Sequence, residues 1–140
     1  MPIIAKTEQE RDEWQGNRLF PIVKSLYTQA EVAFVGIGDV QANCALVENG
    51  FLTPEEAEDL VKQGAVGEIL GWAMDRHGAP INYGWSERVT SLPLPSLAKR
   101  PIIGFAGGER KVPAILAALR GRWISGLVTD QFTAQQLAVL

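Results

Sequence analysis

Four runs along the chain are apolar almost without interruption, and stretches with helical spacing lie between them. Val32-Ala-Phe-Val-Gly-Ile-Gly38 has the length of a strand and ends in glycines. Near-continuous apolarity, rather than alternation, predicts a strand buried on both faces. The same signature returns at Pro101-Ile-Ile-Gly-Phe-Ala106 and at Ile124-Ser-Gly-Leu-Val-Thr129. Val66 to Met74 reads as a further strand, weakened by Gly67 and Gly71. Residues 88–92 read as a short edge strand before breaks at Pro93 and Pro95.

Thr53-Pro54-Glu55-Glu56 has the form of a capping box with proline at the first helical position. Ala57, Leu60 and Val61 supply that helix with an apolar stripe, and Gly64 ends it. Val112, Ile115, Leu116 and Leu119 fall at i, i+3, i+4 and i+7, which predicts an inward-facing stripe on a helix from Glu109 to Arg120. Asp130 can cap a last helix that buries Leu137 and Leu140. Near the N-terminus, Leu19, Val23, Leu26, Tyr27 and Ala30 share one helical face, with Pro21 in its first turn, and Thr7 to Trp14 is a weaker helical segment. Strands alternating with helices predict a single α/β domain, an open and mostly parallel sheet with helices on both faces.

Composition narrows the picture. With 140 residues, 46% of them hydrophobic and 21% charged, the chain can build one core and is not a disordered segment. A single cysteine, Cys44, excludes an internal disulfide framework, and His77 is the only histidine, so neither a Cys/His metal site nor a cofactor is expected. No apolar run approaches the ~18 residues of a membrane span, and Met1-Pro2-Ile3-Ile4-Ala5-Lys6 lacks a signal-peptide pattern. A cytoplasmic location without membrane contact is the expectation. Net charge is −3, yet Lys99, Arg100, Arg110, Lys111, Arg120 and Arg122 face only Glu109 within their stretch. A basic stretch on an acidic body suits a small anion better than a DNA backbone, although a solvated helix face would read the same way.

Ligands of such sheets bind beyond the carboxyl ends of the strands, which selects the loops after Gly38, after Ala106 and after Thr129. Gly107-Gly108 lets the backbone turn sharply at the start of a helix, where free amides and the dipole favour an anion. Arg110 and Lys111 then stand in a first turn that disfavours cations, a placement an anion would explain. The loop is not a Walker A motif, because Val112 stands where Ser or Thr is needed. Gly36-Ile-Gly38 begins like a dinucleotide fingerprint, but Gln41 replaces the third glycine. Glu68 interrupts an apolar run, so its carboxylate is either exposed or paired, and a sugar hydroxyl could be that partner. His77 is expected in a surface turn and Cys44 in the core.

Four motifs occur in order: Val35-Gly-Ile-Gly38, Gly64-Ala-Val-Gly-Glu-Ile-Leu-Gly71, Ala106-Gly-Gly-Glu-Arg-Lys111 running into Ala114-Ile-Leu-Ala-Ala-Leu-Arg-Gly121, and Leu127-Val-Thr-Asp130 before Thr133-Ala134. Together they resemble the effector-binding domain of the SorC family of bacterial sugar-responsive transcription regulators, over roughly Val32 to Leu140. The resemblance implies a fold like ribose-5-phosphate isomerase and glucosamine-6-phosphate deaminase, used as a sensor rather than an enzyme. It implies a phosphorylated sugar as effector, phosphate held by Lys111 and the Gly107–Gly108 turn, Glu68 facing sugar hydroxyls, and Gly38 and Asp39 bordering the pocket. It also implies a homo-oligomeric regulator whose operator DNA is held by a helix-turn-helix domain. That domain and the first half of the effector domain are not in residues 1–140, so the chain reads as the C-terminal part of the sensor. Two alternatives stay open. One is a sugar-phosphate isomerase or deaminase with Glu68 or Asp75 as base, and the other is an oligomerisation module without ligand.

Overall fold

The computed structural model describes residues 1–82, 84–94 and 99–140. Strand β1, Ala33–Gly36, continues through Ile37 into β2, Gly38–Asp39, and this one-residue step carries the chain from one sheet to another. β1 pairs in parallel with β5, Ile102–Phe105, which pairs in parallel with β6, Gly126–Val128, in the order β1-β5-β6. β2 pairs antiparallel with β3, Ala65–Ile69, and β3 with β4, Trp72–Asp75.

The second sheet corrects the reading of Val66 to Met74 as one strand. Ile69 pairs with Trp72, and the two residues between them, Leu70 (φ 54°) and Gly71 (φ 87°), both have positive φ. Two consecutive left-handed residues make a tight hairpin turn matched to strand twist, so the glycine marks a reversal rather than a weak strand position. The edge strand expected at residues 88–92 reduces to a single bridge between Val89 and Ile4. Pro93 is followed by Pro95, which lies outside the described residues.

Helices form where local chemistry dictates. α1, Glu8–Gln15, is capped by the Thr7 hydroxyl, and α2, Phe20–Gln29, carries Pro21 in its first turn. The short α3, Ala45–Glu48, starts after the buried Cys44. α4, Pro54–Lys62, has both bonds of the capping box, Glu56 N–H to Thr53 Oγ1 at 3.1 Å and Thr53 N–H to Glu56 Oε2 at 2.9 Å. A 3₁₀ turn at Glu109–Lys111 leads into α5, Val112–Arg120, and Asp130 caps α6, Gln131–Ala138.

α5 is the central layer. Ala114, Ile115, Ala117 and Ala118 are fully buried in one cluster with Val35, Ile37, Ile69, Met74, Ile102 and Ile124, so the helix packs against strands of both sheets. A second core of Val40, Leu46, Leu52, Leu60 and Trp85 lies with α3, α4 and the antiparallel sheet. The helix stripes shift accordingly. Leu119 and Val61 point outward, Leu140 is exposed, and Leu137 is half-buried, while the small alanines of α5 take the inward places. α2 forms as expected, but Leu19, Ile22, Val23 and Leu26 remain exposed. Its C-terminal end is held by the buried Arg100, which donates to the Tyr27 and Thr28 carbonyls and lies 5.2 Å from the Tyr27 ring centre. Continuous apolarity also predicts cover on both faces of the parallel sheet. α5 covers one, and Phe34 and Phe105 stand exposed on the other.

The close approach of α5 to β3 depends on Gly67. A Cβ there would lie 2.4 Å from Ala114 Cβ and 2.9 Å from its Cα, so helix or strand must move. Gly67→Ala is expected to cost about 1–3 kcal/mol as overpacking, lowering the thermal midpoint by several degrees. Gly36→Ala, whose Cβ would meet nothing within 4 Å, is the matched control and should leave the midpoint nearly unchanged.

Candidate functional site

The three loops selected by strand polarity converge. Gly107 and Gly108 follow β5 and precede α5, and the N-terminus of α6 closes on them. Gly108 has φ 103° and donates its amide to Thr133 Oγ1 at 2.8 Å. Thr133 is fully buried; its hydroxyl donates to Asp130 Oδ2 and its amide to Asp130 Oδ1, both at 2.8 Å. A Cβ on Gly107 would lie 2.3 Å from Asp130 Oδ2, so only glycine lets the turn pass so near the carboxylate. The Thr133 amide and hydroxyl, with the Gly108 amide, hold the Asp130 carboxyl below its usual range. Thr129 Oγ1 is buried beside Gly107 and has no hydrogen-bond partner among the described residues.

Arg110 reaches across to the loop after β2. Its Nη2 donates to Asp39 Oδ2 at 2.8 Å and to Asn43 Oδ1 at 3.0 Å. The Asp39 side chain is 9% exposed and that of Arg110 51%, so the arginine answers a buried charge from the surface. Arg110 and Lys111 lie in the 3₁₀ turn before α5 rather than in the first turn of a helix from Glu109, and the Asp39 carboxylate accounts for the Arg110 cation there without any bound anion. Lys111 stands beside it, and both line a cleft of about 390 Å³ with Asp39, Asn43, Glu48 and Glu109, floored by Cys44, Gly107 and Gly108. That volume falls within the range of about 300–1,000 Å³ typical of small-molecule sites.

Glu68 sits behind this cleft rather than among its lining residues. It pairs across the sheet with Gly38, and its Oε1 lies 2.1 Å from where a Gly38 Cβ would be, so Gly38 makes room for the carboxylate. Glu68 Oε2 accepts the Gly71 amide at 2.7 Å. Burial pushes its carboxyl up, the Gly71 amide and the Lys111 charge oppose this, and Asp39 adds to it. Asp39, Glu68 and Lys111 therefore form one electrostatic cluster.

The remaining candidates lie elsewhere. His77 is exposed in the turn after β4, as expected, and Cys44 is buried. Asp75, the alternative base, accepts the amides of Ala79 and His77, which hold its carboxyl low and commit it to capping that turn. No group of three or more His, Cys, Asp or Glu among the described residues could hold a metal ion. No helix among them is long and apolar enough to cross a membrane. The sequence reading missed the Asp39–Arg110–Asn43 network and the Thr133 clamp on Gly108. Asp130 and Thr133 stand at the N-cap and N3 spacing, a signal that finds the helix cap but not its use against a distant glycine turn.

Residues 1–138 match the sugar-binding family model described as "Putative sugar-binding domain". The full-length sorbitol operon regulator SorC of Klebsiella pneumoniae superimposes with a TM-score of 0.84 at 32% identity, covering 98% of this chain and 45% of that one. The chain belongs to the SorC family of sugar-binding domains. This SorC-type domain is also 32% identical over 137 residues to the erythritol catabolism regulatory protein EryD of Brucella abortus, covering 98% of the chain and 43% of the relative. It is 41% identical over 109 residues to the transcriptional regulator LsrR of Escherichia coli K12, covering 75% of the chain and 34% of the relative. A probable sor operon regulator from Shigella flexneri superimposes with a TM-score of 0.84 at 30% identity, covering 98% of this chain and 53% of that one. The domain thus spans less than half the length of the curated relatives it matches.

The raised carboxyl of Glu68 has a testable sign. In the unfolded chain it ionises near 4.5, and in the folded domain only at higher pH. Stability is therefore lost as pH rises from that value through the folded one, and the penalty persists above it. Glu68→Gln keeps an acceptor for the Gly71 amide and removes the charge. The midpoint of the variant relative to the parent, from melts at about pH 4 and about pH 7, is expected to become more favourable at the higher pH. An unchanged difference would mean that Glu68 ionises as freely folded as unfolded.

Proposed function

We propose that this domain is the effector sensor of a transcription regulator and that it binds a phosphorylated sugar at the cleft between Asp39 and the Gly107–Lys111 loop. The observation that carries the reading is the convergence of Lys111 and two buried or half-buried carboxylates, Asp39 and Glu68, at the carboxyl ends of the strands. Lys111 meets the phosphate and Asp39, in the cleft lining, accepts hydrogen bonds from sugar hydroxyls, while Glu68, behind the lining, is the acceptor for a hydroxyl that reaches past it. Gly107 and Gly108 shape the floor, and Gly38, outside the lining, makes room for the Glu68 carboxylate behind it. The amide of Gly108 is used by Thr133, so its part is to hold the turn rather than to bind phosphate directly. The similarity to EryD, a regulatory protein of erythritol catabolism, and to a sorbitol operon regulator supports a sugar-like effector class.

Regulation then follows from differential affinity. A ligand that binds one arrangement of the regulator better than another shifts the population toward it, and only by that difference. In this reading operator DNA is held by a helix-turn-helix domain in another part of a homo-oligomeric regulator, and the net acidic sensor does not touch it.

A thermal melt with a panel of sugar monophosphates, the parent sugars and inorganic phosphate tests the reading. A ligand at ~100 times its dissociation constant adds about 2.7 kcal/mol, a rise of several degrees at this size. The expected result is a rise with one phosphosugar only, weakened at least roughly 10-fold in affinity by Lys111→Ala, since a charge-assisted bond contributes about 1.5–3 kcal/mol. An equal rise with the unphosphorylated sugar would remove the phosphate from the reading. Conversion of the sugar during the assay would point instead to isomerase or deaminase chemistry.

A further inference from the structure

α5 ends in a hydrogen-bonded cap of a kind that favours glycine. The Trp123 amide donates to the Ala118 carbonyl at 2.9 Å and the Arg122 amide to that of Leu119 at 3.1 Å, with Arg122 at φ 57°. The left-handed residue in such a cap is usually glycine, because a Cβ is crowded there. Here it is an arginine, and among the described residues its guanidinium has no ion-pair or hydrogen-bond partner. Arg122 lines a cleft of about 410 Å³ at the C-terminal end of α5. That volume suits a small molecule. The cleft shares no residue with the one beside Lys111, which lies at the other end of the helix.

The polar groups of this second cleft have one character. Trp72, Trp123, Pro80, Pro93 and Leu94 supply apolar surface, and no acidic side chain is in the described lining. Three hydrogen-bond donors are: the Arg122 guanidinium, the Asn82 amide and the Trp72 indole. Trp123 Nε1 is already bonded to the Gly78 carbonyl at 2.7 Å, but Trp72 Nε1 is buried with no partner among the described residues. A buried N–H without an acceptor is costly, and the few that persist call for an explanation. The positive charge of Arg122 also suits a helix C-terminus. The dipole alone, however, asks neither for paired indoles nor for an unpaired donor beside them.

We propose that the cleft formed by Trp72, Asn82, Arg122 and Trp123 is a second ligand site, and that it takes a small aromatic carboxylate. The planar guanidinium fork matches the two carboxylate oxygens, and the Asn82 amide and Trp72 Nε1 add donors to the same group. The ring of the ligand packs on the two indoles and Leu94. A sugar phosphate is the poorer fit, since no carboxylate is there to accept hydrogen bonds from its hydroxyls. The inference is independent of the sugar-phosphate reading, so either can fail without the other.

Nuclear magnetic resonance of the isotope-labelled chain tests this, because each of the four tryptophans reports through its own indole N–H. The probes are benzoate and indole carboxylate, titrated to ~10 mM, a range that reaches millimolar dissociation constants. The expected result is a saturable shift of the Trp72 and Trp123 indole signals and of the Asn82 side-chain amide, with the Trp14 and Trp85 indoles unmoved. Arg122→Gly removes the guanidinium while supplying the residue the cap favours, so the domain should stay folded. It should weaken both probes at least roughly 10-fold, and acetate and benzyl alcohol should bind the parent chain more weakly than benzoate by a similar factor. Lys111→Ala should leave the titration unchanged. The proposal is overturned if neither probe gives a saturable shift, if the shift survives Arg122→Gly, if benzyl alcohol binds as tightly as benzoate, or if the shifts are confined to the Gly107–Lys111 loop.

Discussion

α5 approaches β3 so closely that there is room for only hydrogen at Gly67 against Ala114, and this contact positions most of what matters in the domain. Small residues let the helix lie between two sheets at once, with Ala114, Ala117 and Ala118 buried where larger side chains would push the layers apart. Its C-terminal end is wedged in the same manner. A Cβ on Gly121 would lie 2.4 Å from the Gly78 carbonyl oxygen, and Trp123 Nε1 donates to that same oxygen at 2.7 Å. With both ends seated, the loop before α5 has little freedom. At the N-terminal end of this seated helix Arg110 bonds Asp39 and the Lys111 charge acts on Glu68.

Signals carried by a residue and its near neighbours were legible in the chain. Thr53 with Glu56 and Asp130 with Thr133 cap helices through bonds spanning three residues, and both caps form as the spacing predicts. The apolar runs at β1, β5 and β6 are strands. Signals that depend on what lies across the fold were not legible. The stripe on α2 has helical spacing, but spacing cannot say whether an apolar face is buried or awaits a partner. Alanines contribute little to an apolar stripe, so the true inward side of α5 was obscured by the larger Leu116 and Leu119. Gly71 looks like a weakness in a single strand because such a strand has no place for two consecutive residues of positive φ.

The candidate site divides along the same line. The loop, its glycines and its basic residues were found from local pattern, as was the exceptional position of Glu68. Their partners lie far away in sequence: Gly108 to Thr133 spans 25 residues and Arg110 to Asp39 spans 71. Those partners change the chemistry assigned to the loop. One amide expected to face an anion is spent within the protein, and one cation is already neutralised by a buried carboxylate. Lys111 is left as the loop's basic side chain outside that pair.

The balance of charge around Lys111 also bears on which anion the cleft would prefer. Lys111 is the nearby cation that helps Glu68 ionise against the cost of burial, while Asp39 works the other way. An anion drawn to Lys111 would cancel part of that support and leave the Glu68 carboxylate less favourable than before. Inorganic phosphate offers nothing in return. A phosphosugar would bring hydroxyl donors to the same carboxylate, replacing the lost electrostatic support with hydrogen bonds to its charged form. If the proposed ligand binds there, its phosphate and hydroxyl contacts would be coupled through Glu68, and the cleft would select a ligand that carries both groups at once over one that carries either alone.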